Sequence, residues 1–149
     1  MSIETQFATH KHNGIDGTVP INQSINVDFS LPGTLSATAG NYGIIFIARQ
    51  NCVVADAYEV HTTAGSDAGA VSLQLERLQG TESLGSGDEL LTTAWNLKST
   101  ANTPVRGILS KDNRVVSLKI GDRLALKDSG TLTNLQGVCV SITIQQTYA

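Results

Sequence analysis

The feature that most restricts this chain is a short-range alternation of apolar and polar residues, repeatedly cut by turn clusters. Val71, Leu73 and Leu75 alternate with Ser72, Gln74 and Glu76, and Val138, Val140, Ile142 and Ile144 share one side of the last run. Successive side chains of an extended chain point to opposite faces, so a period of two predicts half-buried strands. The runs at 115–120 and 123–127 follow the same pattern, and 52–61 alternates more loosely through Val54, Tyr58 and Val60. Residues 43–49 (GIIFIAR) are continuously apolar, which suits a buried strand. Between the runs lie TTAGSDAG, GTESLGSGDE, KSTANTP, SKDN and KDSGTLTN, rich in the Gly, Asp and Asn that reverse a chain. Residues 86–95 are expected to form one short helix, with Asp88 and Glu89 suiting its start. No solenoid or propeller repeat occurs. The pattern predicts an all-β, jelly-roll-like β-sandwich.

The chain changes character near Gly40. Residues 1–40 are polar, hold Pro20 and Pro32, and carry the turn pairs Asn13-Gly14 and Asp16-Gly17. They read as an extended N-terminal arm, or else as an unattached terminus, with the β-sandwich domain over 41–149. Ile15, Val19, Ile21, Ile25, Val27, Phe29 and Leu31 recur along the arm and would be wasted in solvent. An extended segment of this kind is suited to packing on another surface by edge pairing.

Composition removes several functions. The chain has 149 residues, a formal charge of −3 and only 15% charged residues. Its basic side chains are scattered singly, without the dense basic patch that nucleic acid requires. No apolar run is long enough for a membrane span. The opening MSIETQFATHKHNG lacks a secretory pattern, so synthesis in a reducing cytoplasm is expected. Cys52 and Cys139 sit in apolar stretches and read as buried thiols, with a disulfide as the alternative. No GxSxG, HExxH, CxxC or phosphate-loop pattern is present. The aspartates Asp16, Asp67, Asp112, Asp122 and Asp128 are expected to be turn formers. No catalytic residue and no cofactor-binding residue emerges, and the chain reads as non-enzymatic.

One motif stands apart: His10-Lys11-His12-Asn13-Gly14-Ile15-Asp16-Gly17. In an extended chain His10 and His12 face the same way. Two imidazoles alone make a poor metal site. Three copies meeting on a three-fold axis would present six, an octahedral set for Fe, Ni or Zn. The alternative is that both make surface or inter-chain hydrogen bonds. His61, at the end of a predicted strand, reads as structural or surface-exposed.

HKHNGIDG resembles the HxHNGxDG element of trimeric structural proteins of tailed bacteriophages. A second set of segments resembles the small β-domains of phage virion proteins, notably capsid decoration (cement) proteins. These are YEVHTTAGSD at 58–67, LLTTAWNLK at 90–98, TANT at 100–103, GDRLAL at 121–126 and GTLTNLQGV at 130–138. The resemblance implies a jelly-roll-like sandwich, a homotrimer and no enzymatic activity. It also implies a place on the outer capsid surface of the virion, with the major capsid protein as partner. The alternative is a tail fibre, spike or receptor-binding head. The absence of a shaft in 149 residues and an aromatic content of 5% favour the first.

Overall fold

The computed structural model describes residues 24–34 and 41–147. It is an all-β sandwich of two antiparallel sheets. The strands are β1 (Ser24–Thr34), β2 (Asn41–Ile47), β3 (Cys52–Val60), β4 (Ser72–Leu78), β5 (Asp88–Glu89), β6 (Trp95–Asn96), β7 (Val105–Arg106), β8 (Ser117–Leu118), β9 (Arg123–Ser129) and β10 (Gln136–Gln146), with one turn of helix, α1 (Asn113–Val116), before β8. The first sheet runs β1-β10-β3-β7, with β8 also on β3; the second runs β2-β9-β4-β5, with β6 also on β4. The chain crosses from one sheet to the other after β1, β2, β3, β6, β8 and β9, so both sheets are assembled from segments far apart in sequence.

The alternation in β10 does what its period predicts. Val138, Val140, Ile142 and Ile144 are buried and meet Leu73, Leu75, Leu124 and Leu126 of the second sheet in one core. Full burial of each such side chain is worth roughly 1.5–3 kcal/mol. The turn clusters hold their places: Asn102 and Asn134 adopt positive φ, and Asp67 and Asp122 accept backbone N–H bonds within their own turns.

Several expectations are corrected. Residues 86–95 form no helix. Gly87 packs against the backbone of β4, where a Cβ would press on the carbonyl oxygen of Arg77 and lie 2.7 Å from Leu78 Cδ2. Asp88 and Glu89 then pair with Arg77 and Glu76 as strand. Residues 115–120 are not one strand, because Asp112 caps a helical turn by accepting the Arg114 N–H at 2.9 Å. Asp128 is not in a turn but buried within β9. Residues 43–49 are not a buried strand: β2 is an edge, with Ile44 and Ile47 exposed. Residues 24–34, placed by the sequence in an arm outside the sandwich, are extended but pair with β10 as an edge of the chain's own first sheet. Residues 1–23, including Ile15, Val19 and Ile21, lie outside the described residues.

The loop over 79–92 is fastened to the sheet by side chains of β4. Glu76 Oε1 and Oε2 accept the Gly85 and Gly87 N–H groups at 2.7 and 3.0 Å. Gln74 accepts from Leu91 N and donates to Leu91 O, both at 3.1 Å. Gly87→Ala is expected to lower folding stability by about 1–3 kcal/mol, because the new methyl overpacks β4 backbone. Chemical denaturation measures it, and an unchanged midpoint would contradict this account of the loop.

Candidate interaction surface

Among the described residues β1 pairs only with β10, and β2 only with β9, so each sheet ends in a strand with an open edge. The two edges face one groove of about 660 Å³. Ile25 of β1 and Ile144 of β10 form one wall; Ile44, Ile45, Phe46 and Ile47 of β2 form the other, with Cys52 at the start of β3. Arg49, Gln50 and Gln146 supply polar groups at its rim. Ile25, Ile44 and Ile47 are 43%, 46% and 59% exposed, so three large β-branched side chains meet solvent around one depression. Isolated exposed isoleucines are ordinary, but a cluster rimmed by polar groups beside unpaired strand edges has the makings of a contact surface.

The groove follows from sequence and topology together. Ile144 is the last buried residue of the inward ladder of β10 and lines the floor of the groove. β2 lies at a sheet edge and its ladder with β9 shifts register between Ile44 and Phe46, which leaves Ile44 and Ile47 exposed with Ile45 and Phe46 half-buried between them. Sequence reasoning identified Ile25 as an arm residue wanting a partner surface, and residues 43–49 as apolar. It did not place them opposite each other, since that needs the crossing from β1 to β2.

Chemistry elsewhere is sparse. Cys52 is buried and Cys139 half-buried, and both are free thiols; burial, helped by Asp122, pushes the Cys52 thiol up. On the surface, Arg106 Nε donates to Asp56 Oδ1 at 2.9 Å, and this bond holds the Asp56 carboxyl below its ordinary range. The guanidinium of Arg114 lowers Asp112 in the same way. Among the described residues no group of three or more His, Cys, Asp or Glu side chains is placed to hold a metal ion. No helix among them is long and apolar enough to cross a membrane. His10 and His12 lie outside the described residues.

His61 is structural. It is fully buried, with Nδ1 2.9 Å from Glu59 Oε1 and Nε2 3.0 Å from the Ser99 carbonyl oxygen. Glu59 is not legible in the sequence, because an unbroken alternation through Val54, Tyr58 and Val60 puts it on the opposite, outward face. In the ladder with β10, Val54 lies opposite Ile144 and Asp56 opposite Thr143, which leaves Ala55 as an extra residue. This bulge inverts the faces beyond it, so Ala57, Glu59 and His61 turn inward while Tyr58 is exposed.

No family model and no curated protein matches the sequence. Solved structures do match. A chain in the capsid of Ralstonia phage GP4 superposes with a TM-score of 0.59 at 13% identity, covering 93% of both chains. A chain in the cyanophage Pam1 capsid asymmetric unit superposes with a TM-score of 0.54 at 8% identity, covering 85% of both. At such identities the likeness is one of fold: this sandwich, over nearly its whole length, has the fold of chains found in two bacteriophage capsid structures.

Proposed function

We propose that the chain is a virion structural protein, a homotrimeric decoration (cement) protein on the outer capsid surface that stabilises joints between major capsid subunits. The observation that carries this reading is the fold likeness to chains of two phage capsids, extending over 93% of the chain in one case. The motif HKHNGIDG and the segments at 58–138 point the same way, and so does the open apolar groove. In this reading the protein is made in the host cytoplasm and performs no catalysis. Its partners are its own copies and the major capsid protein, with neither nucleic acid nor membrane among them. Many weak contacts held in a fixed symmetric arrangement add through effective concentration, so a small protein can reinforce a strained joint.

The groove between β1 and β2 is the surface assigned to capsid or sister-subunit contact, and residues 1–23 are assigned to reach beyond it. Deleting 1–23 rather than 1–40 keeps β1, so the sandwich is expected to fold while occupancy on shells lacking the protein drops. Ile47→Asp is expected to change stability by no more than about 0.5 kcal/mol, as for other exposed positions, yet to reduce occupancy too. Full occupancy by both variants would move the contact surface to the loops. Light scattering is expected to give the mass of three chains, and a monomer at micromolar concentration would remove the trimer. Imaging of purified particles separates the capsid from the tail; protein found only at the tail would favour the fibre or receptor-binding reading.

The same reading assigns His10 and His12 to a metal site shared by three chains. Elemental analysis is expected to find about one Fe, Ni or Zn per three chains, as a six-imidazole site implies. His10→Ala with His12→Ala is expected to abolish it and to lower the melting temperature. Metal-free protein prepared without chelator would leave hydrogen bonding as the role of the pair.

A further inference from the structure

Among the described residues, the pair Glu59–His61 brings two fully buried ionisable side chains into direct contact. The Ser99 carbonyl oxygen can only accept, so His61 Nε2 carries a hydrogen and donates to it. Between His61 Nδ1 and Glu59 Oε1 there is then room for one more hydrogen. It belongs either to an imidazolium beside a carboxylate or to a neutral imidazole beside a carboxylic acid. Both arrangements carry the same single titratable proton and no net charge.

We propose that Glu59 and His61 form a proton-held latch: the folded pair keeps one shared proton through and above neutral pH between Nδ1 and Oε1, and it thereby holds the ring with its Nε2 hydrogen on the Ser99 carbonyl at the end of β3. Removing it leaves a buried net negative charge, and either Nδ1 faces a carboxylate or Nε2 faces a carbonyl with no hydrogen between them. Glu59 Oε2 is buried and has no hydrogen-bond partner among the described residues, a setting that disfavours a full carboxylate. Burial pushes the Glu59 carboxyl up, opposed by its bond to His61.

Charged groups on neighbouring elements are engaged elsewhere. Glu59 lies opposite Val105 of β7 and Val140 of β10. Arg106 of β7 holds Asp56, and Lys98 donates to the carbonyls of Asp67 and Gly69. The latch is completed by the Asn102 N–H, which donates to the His61 carbonyl oxygen at 2.7 Å.

The sign follows from counting protons. In the unfolded chain a lone imidazole loses its proton near about pH 6.5 and a carboxyl near about 4.3. Between those values both states hold one proton. Above about 6.5 the unfolded pair holds none, so folding takes up a proton and stability falls as pH rises.

The test measures unfolding against pH for the full chain and for Glu59→Gln. The amide of glutamine can donate to Nδ1 without a titratable proton. For the wild type the unfolding constant is expected to rise by up to tenfold per pH unit above about pH 6.5, over whatever slope the variant shows. Identical slopes overturn the proposal. If Glu59→Gln does not fold, the ¹⁵N shifts of the His61 ring in the wild type decide. Shifts constant between about pH 5.5 and 8 support the latch, and a titration midpoint near about 6.5, the value of a free imidazole, overturns it.

Discussion

Everything in this fold rests on the requirement that each sheet give one continuous apolar face to the other. Central strands satisfy it through period-two alternation: β10 contributes Val138, Val140, Ile142 and Ile144, and β9 contributes Leu124 and Leu126. A slip of one residue in either would turn its whole apolar set to solvent, so the register of β10 against β1 and β3 is strongly specified. The bulge at Ala55 shows the force of that rule. Before it Cys52 and Val54 face the core, and after it the inward positions pass to Ala57, Glu59 and His61. An acid and a base are thereby carried into the interior, where only their mutual bond and the Ser99 carbonyl make them tolerable.

The β4 face opposite the core solves a different problem. A strand of the second sheet has to cover a long polar loop as well as the interior, and SLQLER places Gln74 and Glu76 where they meet backbone N–H groups of that loop. Arg77 performs the same task further on, donating to the carbonyls of Arg114 and Ser117 and to Asp88 at 2.5 Å. These side chains tie down the irregular stretches around β5 and α1. Without them the orphan backbone groups of the two loops would face the sheet with no partner. The short β5 is a consequence of this fastening rather than its cause.

How much of this was legible in the sequence follows from the same physics. The strand β10 and the Gly/Asn/Asp turns could be read directly, because local pattern and final burial agree there, whereas β4 and β9 were legible as strands but not in their burial, since Gln74, Glu76 and Ala125 are covered as well. Residues 86–95 were misread because the acidic start of a helix and the acidic residues of a strand beside a glycine turn look alike locally. What separates them is the close approach of Gly87 to β4, a tertiary fact. Residues 24–34 were read as extended, and they are, but alternation cannot say whose sheet an edge strand joins. The buried pair was hidden by one bulge, and the groove by the order in which strands cross between sheets.

The two open edges also bear on why this sandwich should act in an assembly. Strand edges with unpaired N–H and C=O groups are templates for further pairing, and proteins that stay alone blunt them with charges, prolines or covering loops. Here β2 carries only isoleucine, phenylalanine, asparagine, tyrosine and glycine from Asn41 to Ile47, with its first charge at Arg49 just beyond. An edge so lightly protected is a hazard for a free monomer, whereas in the proposed particle a neighbouring surface would cover it. Covering it also adds to stability, because a partner that binds only the folded chain shifts the folding equilibrium by mass action. On the proposed function, the hazard and the purpose are then one feature: the edges left unfinished by the fold are the places where the surrounding shell would complete it.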